Sequence, residues 1–387
     1  MDRVLREGWK VRKLSEIGKI FNGNSINAKV KKEKYTNIEN GYYYIATKDI
    51  SYTNKIDYDN GIKIPFEDKS TFKIAPKNTI LICAEGGSAG KKIGFTNQDV
   101  CFGNKLFALI TNKDIDSKFA YYFYFSETFK EQFFSELVGI IGGVSMNKFK
   151  NFEIPLPPLQ EQKKIVAILD EAFFAIDKAK ANAELNLKNA KELFESYLQS
   201  VFENKGEGWE EKTLNEISEN LDNKRIPITK NIRSEGKIPY YGASGIVDYV
   251  ADYLFDEDLL CISEDGANLV VRKYPIAFSI SGKTWVNNHA HVLRFDNIIS
   301  QKFVELYLNS ISLDDFISGM AQPKLNQTKL NKIPIPYPPL KTQQTIVKKL
   351  DTLSEQTKKL ESIYEQKLQD LNELKKSILQ KAFNGEL

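Results

Sequence analysis

The only two histidines, His289 and His291, lie in "NNHAH". On a strand, H-x-H sets both rings on one face, as a pair of metal ligands would need. No companion cluster of Cys, His or Asp is visible beside them, and a matching stretch upstream carries Lys105 and Phe107 instead. Ligand contact or packing is therefore expected here, with no metal and no cofactor. "SISGKTW" has the tail of a phosphate-binding loop, Ser281-Gly282-Lys283-Thr284, but Ala277 stands where its leading glycine belongs. "GGSAGKK" fails the same test at Glu85, so a tight strand-to-loop turn is expected there. Glu67-Asp68-Lys69 is a triplet that a chain this charged yields by chance, and two adjacent histidines support no Ser-His-Asp set. Cys83, Cys101 and Cys261 are too few for a disulfide framework, and two of them sit in apolar runs, which suits buried thiols in a reducing cytoplasm.

With no catalytic constellation to anchor an enzyme, attention passes to the elements that would position a binding surface. The chain has 387 residues, a net charge of +3, 42% apolar and 27% charged residues, within the range of globular proteins. Any nucleic-acid surface must come from local clustering of charge. No run approaches a membrane span, and "MDRVLREGWKVRK" has no apolar signal core.

The dominant feature is internal repetition. "IPLPPLQEQKKIVAILD" (154–170) returns as "IPYPPLKTQQTIVKKLD" (335–351), with ten of seventeen positions identical. "EGWKVRKLSEI" matches "EGWEEKTLNEI" 200 residues on. "LICAEGGSAGKK" matches "LCISEDGANLVVRK", which sets Glu85 against Glu264 and Gly87 against Gly266. "CFGNKLFALI" matches "WVNNHAHVLRF", which sets Asn104 against Asn288. The prolines predict an extended approach to a helix, since proline neither continues a ladder nor sits inside a helix.

After each proline run, apolar residues follow a 4–3 spacing that predicts a coiled-coil seam. In the first helix the seam reads Ile165, Leu169, Ala172, Ile176, Ala179, Ala183, Asn186, Ala190, Leu193 and Tyr197. In the second it reads Ile346, Leu350, Leu353, Thr357, Leu360, Tyr364, Lys367, Leu371, Leu374 and Ile378. An Ala-rich seam against a Leu-rich one favours close interdigitation, and Asn186 and Lys367 would set register. Each helix spans roughly 44 residues, or about 66 Å. The expected fold is α+β: two mixed α/β domains (1–154 and 204–334) separated by two long helices (155–203 and 335–387) paired antiparallel, in a pseudo-twofold repeat.

The proline–helix joint, its copy, the paired "GW…L.EI" starts and the terminal "ILQKAFNGEL" resemble the DNA-specificity subunit of Type I restriction–modification enzymes. "GKIPYYGASGIVDYV" and "EDGANLVVRK…WVNNHAHVL" resemble a target-recognition domain of that family. The resemblance covers nearly the whole chain. It implies a non-catalytic subunit whose two domains each read half of a bipartite, asymmetric site in double-stranded DNA, with helix length setting the spacer. It also implies two docked methyltransferase subunits, and two translocase–nuclease subunits for restriction.

Side chains able to neutralise phosphate or read base edges are nominated accordingly. In the first domain these are Asn24, Ser25, Lys29, Lys48, Ser88, Lys91, Lys92, Asn104, Lys105 and Lys148. In the second they are Lys224, Arg225, Tyr241, Ser244, Asn268, Arg272, Lys273, Lys283, Asn287, Asn288, His289, Gln322 and Lys324. Glu85 and Glu264, which phosphate would repel, are expected to hold loop geometry. The competing readings are a self-contained enzyme with an unrecognised site and a coiled-coil interaction protein that binds no nucleic acid.

Overall fold

A computed structural model describes residues 6–138, 142–319 and 322–387. It resolves into two compact units. One comprises the chain up to Asn182 together with Lys367–Leu387, and the other comprises Ala183–Gln366.

In the first unit an antiparallel sheet runs in the order Gly18–Asn22, Leu106–Thr111, Ile80–Cys83, Ile93–Phe95. A smaller mixed sheet runs Lys63–Ile64, Tyr42–Ile45, Val100–Phe102, Ile74–Ala75. The second unit repeats both orders. Its first sheet is Glu219–Asn220, Ala290–Arg294, Leu259–Ser263, Ala277–Ile280, and its second is Gly245–Val250, Glu235–Gly242, Lys283–Val286, Phe255–Asp256.

The central strand explains the unbroken apolar run "ILIC". All four residues are buried, because alternate side chains enter different cores. Ile80 and Ile82 join the helix-side cluster with Phe119 and Phe149. Leu81 and Cys83 join the cluster between the sheets with Phe102 and Ala108. In the second unit Leu260 and Ile262 divide from Leu259 and Cys261 in the same way. The three cysteines are free and buried, and burial pushes the Cys101 thiol up to about 12.

The proline joint corrects one expectation. Pro155 and Pro336 do sit within strands, opposite Val11 and Glu211 in the two-stranded ribbons Lys10–Lys13/Glu153–Leu156 and Glu210–Thr213/Pro334–Tyr337. A ribbon of two strands leaves each with a free edge, where a missing N–H costs nothing. The long helices then begin, Leu159–Glu203 and Leu340–Asn384, each of 45 residues. A buried glutamine ties each start to the prolines: Gln162 Nε2 donates to the Pro157 carbonyl (2.9 Å) and Gln343 Nε2 to that of Pro338 (2.8 Å).

Within each unit the helix segments run antiparallel. In the first, Lys375 Nζ meets Asp177 at 3.0 Å and lies 4.6 Å over the Phe173 ring, while Lys180 donates to Asn372. In the second, Lys349 lies over Tyr197.

The seam itself is displaced at alternate positions from about the middle of each helix onward. Ile165, Leu169, Ile176, Ala183, Ala190 and Leu350 are buried as expected, and Ile346, Leu353 and Leu371 are half-buried. Leu193, Leu360 and Leu374 are instead 49%, 38% and 47% exposed, and Asn186 and Lys367 are exposed too. The next residue turns inward in their place: Leu187 and Phe194 in one helix, Leu368 and Lys375 in the other, as buried Phe173 already does beside half-buried Ala172. The cause is the domain beside the helix. Phe173 packs edge-on to Tyr122, and Phe194 against the second helix-side core, which rotates the apolar stripe by one residue.

Each unit also closes on a helix end. Arg6 donates to the carbonyls of Gly385 (3.0 Å) and Leu387 (3.1 Å), and Phe383 packs on Phe119 at 5.1 Å. Gly385 has φ +78°, and a Cβ there would meet Arg6 at 3.0 Å. Among the described residues no helix is long and apolar enough to cross a membrane.

Candidate nucleic-acid interface

In the first unit, main-chain bonds gather the loops that follow several strands. Asn24 N–H donates to the Phe102 carbonyl, Gly103 N–H to that of Ile45, Ala84 N–H to that of Lys105 and Gly86 N–H to that of Gly142. Around these loops Ser25, Lys29, Lys48, Lys91, Asn104 and Lys105 are exposed. Lys31, which the sequence reading passed over, lies 4.7 Å over the Tyr44 ring. Burial and the nearby Lys48 charge hold its ammonium below the lysine range, though Asp49 opposes this. Two cations held close at a surface raise its affinity for an anion. Lys92 is half-buried: it donates to the Thr47 carbonyl at 3.1 Å and lies 4.9 Å over Tyr52, whose hydroxyl meets Ser88.

Two first-unit nominees are already paired, Asn24 within the fold and Lys148 at the surface. Asn24 donates to the Thr71 carbonyl and accepts from Lys73 N–H, so both ends of its amide are occupied. Lys148 pairs with Glu136.

The second unit gathers the equivalent loops. Asn287 N–H donates to the Tyr241 carbonyl, Glu264 N–H to that of His289 and Gly266 N–H to that of Pro323. Exposed there are Lys224, Ser244, Asn288, Gln322 and Lys283, the last 4.6 Å over Tyr253. Tyr241 is half-buried against Phe278. His289 meets Asp265 at 2.9 Å with its ring half exposed.

Other second-unit nominees are engaged inside the fold. The Arg225 side chain is 11% exposed and donates to Glu264 (2.7 Å) and to the Ala290 carbonyl (2.6 Å). Asn268 caps both backbone groups of Tyr274, and Asn287 accepts from His289 N–H with 6% of its surface exposed. Arg272 donates to the Ile311 carbonyl, and Lys273 lines a cavity beside Phe194 and Glu195, so this pair faces the long helix.

Beneath the second unit's loops lies an ion cluster that the sequence reading missed. His291 is 1% exposed, with Nδ1 2.6 Å from Asp222 and Nε2 2.7 Å from the Leu325 carbonyl. Glu264 also takes Lys324 at 3.2 Å. Asp222, Glu264 and His291 offer ligand atoms within 4.8 Å of one another. A metal fits poorly, because both imidazole nitrogens are engaged and the Arg225 cation already sits on Glu264. Burial opposes the charge on Asp222 and Glu264. The His291 ring and the Arg225 guanidinium outweigh it, leaving both carboxyls below their usual range.

Strand register also refines the repeat. Phe107 pairs with Ile82 as His291 pairs with Ile262, so Lys105 matches His289 as the sequence indicates. The loop bridges Glu85–Gly143 and Asp265–Lys324, however, set Glu85 against Asp265 and Ala84 against Glu264. The aligned glycines are Gly86 and Gly266, both at positive φ.

The family model of the Type I restriction modification DNA specificity domain matches residues 6–187 and again 206–370. The chain belongs to this family. A specificity subunit of the type I restriction enzyme StySPI from Salmonella potsdam is 26% identical over 426 aligned positions, covering 99% of this chain and 90% of that one. A Haemophilus influenzae chain provisionally named as a type I restriction enzyme specificity subunit is 37% identical over 159 residues, which is 41% of this chain and 40% of that relative. A solved chain, described in terms of complex assembly and conformational transition of the type I R-M system, shares the fold at TM-score 0.76 and 18% identity over 99% of both chains.

As a member of the specificity-domain family, the chain carries its two matched segments on non-identical surfaces. The second rests on Asp222, Arg225, Glu264 and His291, whereas the first has Ala84 and Phe107 in place of Glu264 and His291. Residues 69 apart in sequence gave no local signal of that cluster; pairing "NNHAH" with the Asp222–Arg225 turn through strand register was the only route to it.

Proposed function

We propose that this chain is the non-catalytic DNA-specificity subunit of a Type I restriction–modification complex. Each domain reads one half of a bipartite, asymmetric site in double-stranded DNA. The two 45-residue helices set the spacing between the halves. Methyltransferase subunits dock on it to methylate the site, and translocase–nuclease subunits join for restriction, in the cytoplasm. The observation that carries this reading is the duplication. One sheet order and one set of gathered loops occur twice, each ending in a helix of equal length, as two readers at one fixed distance require. The revised reading surface is Ser25, Lys29, Lys31, Lys48, Lys91, Asn104 and Lys105 in one domain, with Lys224, Ser244, Lys283, Asn288, His289 and Gln322 in the other. Lysines there neutralise phosphate, while Asn, Gln and Ser read base edges.

The test is to delete one heptad from each helix and map the methylated site formed with the cognate methyltransferase. A shorter spacer between unchanged half-sites is expected. An unchanged spacer would refute the ruler, and methylation by the purified chain alone would refute the non-catalytic assignment.

A further inference from the structure

The smaller sheets of the two units differ in one connection. In the second unit Ala243 and Ser244 alone join the strands Glu235–Gly242 and Gly245–Val250. In the first, residues 46–62 join the equivalent strands Tyr42–Ile45 and Lys63–Ile64. This excursion is firmly anchored. Ile50 is fully buried in the core between the sheets. Asn54, at φ +64°, accepts the Ile93 N–H through its side chain at 3.1 Å, and the Tyr58 hydroxyl accepts that of Asn97 at 3.0 Å. Long connections inside a compact domain are uncommon, and ordered ones are usually functional.

At its tip a turn is closed by the Ser51 N–H on the Lys55 carbonyl (2.9 Å) and the Asn54 N–H on that of Ser51 (3.0 Å). Tyr52 stands in this turn, 65% exposed. Its ring is held all the same. The hydroxyl meets Ser88 at 3.3 Å, and Lys92, anchored on the Thr47 carbonyl, lies 4.9 Å over the ring. Fixing a side chain that stays in water costs rotamer entropy and buries little, but it lowers the cost of a later contact. What Tyr52 still offers selects its target. Its hydroxyl is engaged and Lys92 stands over one face, which leaves an apolar surface. An intact duplex stacks its base faces and presents one apolar group on a base edge in the major groove, the thymine C5 methyl. We propose that Tyr52 is a specificity-determining residue of the first domain, its ring seated on a thymine methyl of one half-site, with Ser88 and Lys92 as positioning residues. This role rests on the proposed DNA-reading function.

The site is first mapped on a randomised duplex library, with the full chain assembled on its cognate methyltransferase. Tyr52→Ala should relax a thymine preference at one position of one half-site and leave the other half-site unchanged. It should weaken binding of the preferred duplex roughly tenfold, as for one lost base contact. Tyr52→Phe, which keeps the ring, should keep the preference. Deoxyuridine at that position removes only the methyl. It should weaken wild-type binding to a similar degree and weaken Tyr52→Ala binding no further. An unchanged preference in Tyr52→Ala, an equal loss across all sequences, or wild-type indifference to deoxyuridine throughout the half-site overturns the contact. Loss of the preference in Tyr52→Phe overturns it too, by placing the role in the hydroxyl. Unfolding midpoints check the variants, and the deoxyuridine scan of the wild type needs none. A wild-type complex that prefers no duplex refutes the DNA-reading function itself, which keeps the two failures distinct.

Discussion

The Arg225 guanidinium donates to the Glu264 carboxylate at 2.7 Å, with only 11% and 12% of the two side chains exposed. The same guanidinium reaches the Ala290 carbonyl, so one side chain fixes the loop after the central strand and the turn that precedes His291. Arg225→Ala removes the nearest cation from the buried Glu264 carboxylate and leaves it only the half-exposed Lys324 at 3.2 Å. It should destabilise the second unit by about 3 kcal/mol, the lower end for breaking such a pair. Denaturant unfolding measures this. A loss no larger than that of Lys224→Ala would show that the pair does not support the loops.

The same cluster makes the second unit the more acid-sensitive one. Asp222 and Glu264 titrate below their usual range when folded. Their contribution is therefore complete above the unfolded carboxylate value near 4 and is lost as pH falls through the lower folded value. Amide exchange should show Cys261 and Val292 losing protection on acidification before Ile82 and Phe107. Equal loss in both units would contradict this.

The displaced seam separates two apolar residues of the first long helix. Phe173 is 8% exposed while Leu193 is 49% exposed. Phe173→Ala should cost about 3–5 kcal/mol, and Leu193→Ala about 0.5 kcal/mol or less. Thermal and denaturant melts of the two variants check this. Comparable costs would restore Leu193 to the seam.

For DNA, Lys48 and Lys105 are exposed on the first unit's loops. Replacing either by alanine should weaken binding by the assembled complex uniformly across sequences and lower the salt slope by about 1. Arg272→Ala should leave the slope unchanged, because its guanidinium is spent on the Leu308 and Ile311 carbonyls. Binding isotherms across a salt series measure both. A slope reduced by Arg272→Ala and not by Lys48→Ala would invert the assignment.

The sequence by itself determined the duplication, the equal helices and the launch at Pro157 and Pro338. These rest on local rules: proline fixes φ, a 4–3 spacing makes a stripe, and identity at a constant offset survives any fold. It also placed Lys105 opposite His289, because strand register preserves their separation. Only the tertiary structure decided which of two adjacent residues faces the seam. Leu193 and Phe194 both satisfy a helical stripe, and the aromatic core beside the helix chooses Phe194. Only packing, too, could turn Arg225 inward. As a lone arginine in "NKRIP" it reads as a phosphate contact, but Glu264 and the Ala290 carbonyl, brought beside it by strand register, give it buried partners that solvent and DNA would otherwise supply.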